Sequence, residues 1–168
     1  MMLKILFTFT LLVSCSNKST TDDSGNVTND TSSTPVEPEF NIWTGPNITF
    51  TKESDADPTD PANQDAITDK VKLTRGQRGS LFNVVIESSA GNNSPEGTEW
   101  AKGTTDDLEI LDFQPLKSAA NNQLKNVPGE SFVLHLIEED IYIDLTFISW
   151  ESGGSGGSFS YERATPSD

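Results

Sequence analysis

Cysteine is almost missing. The 168-residue chain has one, Cys15, so no internal disulfide staples the fold and no cluster of thiolates can hold zinc. Histidine is equally scarce, with His135 alone, which leaves zinc without a ligand set. The two methionines are Met1 and Met2, so any core must be built from Ile, Leu, Val, Phe and Trp. Basic residues are few: 11 Lys and Arg against 26 Asp and Glu give a formal charge of -15. That balance excludes phosphate-backbone binding, which needs clustered bases, and excludes an anionic membrane surface as partner of the folded part. No fixed-period repeat is present, and no segment has the apolar period of a long amphipathic helix. The apolar run near the start, Ile5 to Val13 (ILFTFTLLV), is too short to span a bilayer, which takes about 20 residues.

That run does have the layout of a secretory signal, with Lys4 as its positive flank. It ends in Leu12-Val13-Ser14-Cys15, which resembles the lipobox of bacterial lipoproteins. The resemblance implies residues 1–14 as a removed signal peptide and Cys15 as the lipidated residue, carrying diacylglycerol and an acylated amine. Two or three acyl chains, at about 0.8 kcal/mol per buried methylene, make a stable anchor where one does not. Ser16 after the cysteine resembles the pattern of lipoproteins sent to an outer membrane. Asp22-Asp23 resembles, more loosely, the acidic signal for surface export. The expected location is therefore the bacterial cell envelope, lipid-anchored at the outer membrane, with the surface or periplasmic face left open. After Cys15, from Ser16 to Glu39, the composition is mostly Ser, Thr, Asn, Asp and Pro, with two Val as its apolar side chains, a solvated spacer that cannot build a core.

From residue 40 the pattern turns to short β-branched and aromatic runs punctuated by Gly, Pro and Asn. Phe40 to Lys52 predicts two strands about a turn at Gly45-Pro46. Val71 to Leu73 and Ser80 to Glu87 predict strands joined by the loop holding Gly76 and Gly79. Thr98 to Gly103 predicts another. Leu108 to Phe113 is short and stops before Pro115, which favours strand over helix. Residues 114–130 read as a connection with room for one helical turn. The centre of the chain is Phe132 to Trp150 (FVLHLIEEDIYIDLTFISW), whose alternation predicts a half-buried hairpin with Glu138-Glu139-Asp140 at its turn. A Gly-rich loop, 151–158, then leads to a last strand, Phe159 to Arg163. The sum is an all-β domain over residues 40–166, a single β-sandwich of jelly-roll-like type.

Several of these segments resemble, in one order, a recurrent secreted domain of environmental bacteria. The matching residues are DPTDPANQDAITDKVKLTRG, SLFN, TEWAKG, HLIEEDIYID and GGSGGSFSYERATP. That domain pairs NQD-x-ITD and LTRG-x-x-G-x-LFN elements with SP-x-x-TEWA, HLI-x-DDIY-x-D and GGFSYxR. Here Glu139 stands at a place usually acidic, and Ser158 separates the last Gly pair from Phe159. The resemblance implies domain limits and export, and implies no activity.

Three kinds of chemistry can be weighed. Asp55, Asp57, Asp60, Asn63 and Asp65 are spaced so that a loop could wrap calcium with carboxylate and carbonyl oxygens; equally, each Asp could cap a turn of a solvated loop. Pro58 stands where calcium loops place a flexible residue. Trp100 and Trp150, with Glu139 and Asp140, are candidate ligand-binding residues, because sugar-binding sandwiches set aromatic faces beside carboxylates; the competing reading puts Trp43, Trp100 and Trp150 in the core. Arg75 and Arg78 are expected to pair with the acidic loop, or else to form a carboxylate or sulfate clamp. Glu99, Glu139 and Asp144 are the acids available to a glycoside hydrolase. His135, between Leu134 and Leu136, reads as an interstrand residue more readily than as a general base.

The function expected is a lipid-anchored, non-enzymatic binding or structural module, with a glycan or another envelope protein as partner and calcium as its conceivable cofactor. A carbohydrate-active hydrolase with paired carboxylates is the alternative. Any ligand should meet the acidic hairpin turn, the Asp55 to Asp69 loop and the Gly-rich loop, provided that these share one end of the sandwich.

Overall fold

The computed structural model describes residues 39–167. The expected signal peptide, Cys15 and all of the spacer but Glu39 lie outside them. The strands are β1 (Asn41–Trp43), β2 (Gly45–Lys52), β3 (Asp65–Ala66), β4 (Lys72–Arg75), β5 (Leu81–Asn83), β6 (Thr98–Lys102), β7 (Ser131–Leu136), β8 (Ile141–Trp150) and β9 (Phe159–Thr165). One four-residue helix, α1 (Leu116–Ala119), and three 3-10 turns, Pro61–Asn63, Thr105–Ile110 and Leu124–Asn126, complete the elements.

The main sheet runs β2-β9-β8-β7-β6, and β1 adds to β8 in parallel beyond the end of β9. A small sheet, β3-β4-β5, covers its inner face. The domain is an all-β sandwich-like fold, as its period-two runs predict. Phe132, Leu134 and Leu136 of β7 and Ile143, Leu145 and Phe147 of β8 are buried on that face. They meet Leu73 and Leu81 of the small sheet in one apolar cluster, and Leu116 of α1 joins it. Phe147 sits at its centre, edge-on to Phe132, Trp150 and Tyr161, and such aromatic pairs add about 0.5–1.5 kcal/mol each beyond area burial.

β8 does not keep strict alternation. Its register with β9 shifts between Phe147 and Ser149, where Ile148 and Ser149 are both exposed. A bulge of this kind reverses which face the following residues occupy. Trp150 is thereby turned inward onto Phe147 and Phe159, where unbroken alternation would have sent it outward.

Three predicted elements differ. Leu108 to Phe113 is not a strand: Thr105–Ile110 forms a 3-10 turn over the outer face of the main sheet. Only Leu108 of that run is buried and Ile110 is left exposed, so one apolar anchor suffices. Asp144 of β8 fastens the turn by accepting bonds from the Thr105 amide and hydroxyl, both at 2.8 Å. Val133 and Ala101, on the outer face, are consequently buried. The strand predicted over 80–87 ends at Asn83, because the amides of Ile86 and Glu87 turn back to the Asn83 carbonyl. The break between the first two strands falls at Thr44 rather than at Gly45-Pro46. Gly45 instead opens β2, where a Cβ would lie 2.1 Å from the Pro166 carbonyl oxygen.

Candidate functional site

The acidic loop holds itself. Asp57 accepts from the amide and hydroxyl of Thr59, both at 2.8 Å, and these bonds hold its carboxyl below the usual range. Asp60 caps the Pro61–Asn63 turn through the Ala62 amide. Asn63 donates to the Asp57 carbonyl, and Asp55 accepts from Gln77. Asp65 leaves the loop altogether. It is buried on β3, with both oxygens taken by Arg163 and one shared with the Tyr161 hydroxyl. The five residues considered for calcium therefore point to separate partners. Among the described residues no three acids or histidines converge on one point.

The candidate ligand residues do not share a site either. Trp100 is wholly buried against Phe147, and its ring nitrogen donates to Thr98. It has no face to offer a ligand, because β6 packs it into the inter-sheet core; Trp43 is likewise packed against that core. Glu139 and Asp140 precede the first residue of β8, while Trp150 is its last, about 30 Å away at ~3.3 Å per residue. Glu139 accepts from Thr68, with its other oxygen buried and unpartnered, and Asp140 meets His135 at 3.1 Å. The acidic turn thus closes on residues 68–70, where Lys70 also meets Glu138. The Gly-rich loop closes on residues 54–55 at the other end, with the Asp55 amide donating to Gly156. The three loops are divided between the two ends.

His135 is an interstrand residue on the outer face. Its ring stacks on Tyr142 at 4.3 Å, edge-on to Phe113, and Glu99 lies 3.8 Å from it. Glu99, Asp144 and Glu139 each hold a different neighbour, respectively His135, Thr105 and Thr68. Gly153-Gly154-Ser155-Gly156-Gly157 has the Gly-x-Ser-x-Gly spacing of a nucleophile elbow, a match that composition disguises as a flexible loop. It is no elbow: that motif joins a strand to a helix, whereas this loop joins β8 to β9 and leaves Ser155 exposed. His135 is far from it, near the hairpin turn.

What the fold does assemble is a cavity of about 540 Å³ beside the Gly-rich loop. Arg75, Ser80 and Trp150 line its inner wall and Lys117, Gln123 and Lys125 its outer wall. β4 delivers Arg75, which is 1 % exposed and lies 4.0 Å over the Trp150 ring. Its Nε and Nη1 donate to the carbonyls of Gly79 and Ser158. It does not pair with the acidic loop as expected. Among the described residues no carboxylate forms an ion pair with it, and Arg78 has none either. Burial lowers Arg75 to about 10, partly offset by the charge of Glu151, so it remains a cation at neutral pH. Lys52, also buried on this side of the sheet, is lowered by burial and by the Arg75 charge.

Trp150 and the Gly-rich loop were visible in the sequence, and Arg75 was visible as a clamp. Lys117, Lys125 and Ser80 were not, because nothing local marks residues whose importance is a shared cavity. Comparison of the chain with protein-family models, with curated proteins and with solved structures finds no match.

Proposed function

We propose that this chain is a lipid-anchored protein of the bacterial cell envelope whose domain is a non-enzymatic binding module, with its ligand seated in the cavity between Trp150 and the Leu116–Asn126 segment. The observation that carries this reading is Arg75: a guanidinium 1 % exposed, unpaired with any described carboxylate, at the wall of a cavity of about 540 Å³. Burying a charge with no carboxylate in ion-pair contact is costly, and the charge of Glu151 offsets that only in part; cavities of 300–1,000 Å³ are the usual size for small ligands. The acids available to a hydrolase each fix a neighbouring element, which favours binding over catalysis. The carbohydrate reading of the tryptophans shifts accordingly. One face of Trp150 is covered by Arg75 and its surroundings are Phe147 and Phe159, so recognition rests on cations and amides rather than on stacking.

A glycan array probed with the acylated protein tests the binding reading, with bound saccharides expected and an array blank for every class counting against it. Polysaccharide cleavage abolished by Glu99→Gln would replace it with the hydrolase. The anchor is tested separately: palmitate labelling should vanish in Cys15→Ser, and labelling that persists would remove the lipid from the proposal.

A further inference from the structure

We infer that the cavity takes a carboxylate-bearing saccharide of the uronic-acid class, an inference that rests on the binding-module reading and names its ligand. The chain is strongly acidic at -15, yet the cavity is lined by Arg75, Lys117 and Lys125 and by no Asp or Glu. A concave site of one sign against a field of the other concentrates its counter-ion. Lys117 and Lys125 are exposed, and neither forms an ion pair among the described residues, so both cations are available to a ligand.

A second, independent observation lies on the inner wall. The Ser80 hydroxyl is buried, with the residue 5 % exposed, and has no hydrogen-bond partner among the described residues. Buried polar atoms are nearly always satisfied, and one that is not calls for an explanation. A hydroxyl donating to a ligand carboxylate supplies one. Arg75 spends Nε and Nη1 on carbonyls, which leaves Nη2 without a partner among the described residues. Guanidinium groups are the side chains best suited to planar carboxylates. Around these fixed donors the wall is neutral and polar, with Asn122 and Gln123 next to Lys125, groups that suit sugar hydroxyls. The pairing of cations with amides, rather than with an open aromatic face, selects an acidic sugar over a neutral one.

The test uses the full acylated chain in detergent micelles, titrated by calorimetry with trigalacturonate, with its methyl ester, and with a neutral and a sulfated trisaccharide. Trigalacturonate should bind, weakening as salt is raised, and the ester should bind at least tenfold more weakly. Lys117→Gln/Lys125→Gln, both at exposed positions, should weaken trigalacturonate about tenfold without shifting the thermal midpoint, and Ser80→Ala should weaken it as well. Equal affinity for acid and ester, preference for the sulfated sugar, or indifference to the double variant would overturn the inference. Neutral saccharides binding where trigalacturonate does not would overturn it while sparing the binding module. No saccharide of any class binding would remove both.

Discussion

Asp65 on β3 and Arg163 on β9, 98 residues apart, meet as a buried fork: Nε to Oδ2 at 2.7 Å and Nη2 to Oδ1 at 2.8 Å. The Tyr161 hydroxyl completes it at 2.7 Å from Oδ2. This is how the small sheet is locked to the main one. Burial pulls the Arg163 cation down, but the hydrogen bond and charge of Asp65 more than offset it. Asp65→Asn keeps the side-chain shape and leaves the Arg163 charge uncompensated, so it should cost about 3–5 kcal/mol in denaturant unfolding. Changing the whole fork, Asp65→Leu and Arg163→Met with Tyr161→Phe, should recover much of that loss, because an apolar set carries no desolvation penalty and leaves no buried hydroxyl without its acceptor. A single-variant loss below about 1 kcal/mol would mean that water reaches the fork.

Tyr161 gives the fork an alkaline signature. It is fully buried, and burial together with the Asp65 charge and hydrogen bond raises its hydroxyl well above the ordinary tyrosine range. An acid raised on folding binds its proton more tightly in the native state. Its contribution is whole below the unfolded value of about 10 and is lost as pH rises through the folded one. Midpoints measured from pH 8 to 11.5 should therefore fall more steeply above pH 10 in the natural protein than in Tyr161→Phe. The variant loses about 1 kcal/mol at neutral pH for the missing hydrogen bond. Equal alkaline slopes would show that Tyr161 ionises freely in the fold.

The hairpin of β7 and β8 was legible because inward Phe132, Leu134, Leu136, Ile143, Leu145 and Phe147 follow one period. Trp150 was legible as a residue and not as a direction, since its aim depends on the bulge at Ile148-Ser149. Leu108 to Phe113 misled because a run with one buried residue carries no usable period. Asp65 misled for another reason. By composition it belongs to an acidic loop, and only the distant Arg163 distinguishes it from Asp55 or Asp57. The cavity is the least legible feature, because Arg75, Lys117 and Trp150 come from three separate segments.

Glycine in the loop after β8 is a packing requirement as well as a conformational one. Gly157 has φ of +73°, and a Cβ there would stand 2.1 Å from the Gly76 carbonyl oxygen. Gly76 is backbone and cannot swing away, so Gly157→Ala should destabilise by about 1–3 kcal/mol from backbone strain alone and should loosen the loop against Arg75. Gly153→Ala is the control: nothing lies within 4 Å of its Cβ position, and a change under about 0.5 kcal/mol is expected. Equal costs for the two would show that the close approach to the Gly76 carbonyl is not what requires glycine at 157.

Glu151 ties the same loop from its other side and makes it acid-sensitive. Its Oε2 accepts from the Ser158 amide at 3.0 Å and from the Ser54 hydroxyl at 2.7 Å. The backbone bond, then the Ser54 bond, holds its carboxyl below the usual glutamate range. A carboxyl lowered on folding stabilises the native form above its unfolded pKa, and the contribution disappears as pH falls through the folded one. Amide exchange at Ser158, corrected for intrinsic rate, should therefore accelerate below about pH 4, ahead of global unfolding. In Glu151→Gln that pH dependence should be gone, because the amide oxygen accepts the bond without titrating. Since Ser158 also offers its carbonyl to Arg75, opening this clasp should loosen the guanidinium at the cavity wall.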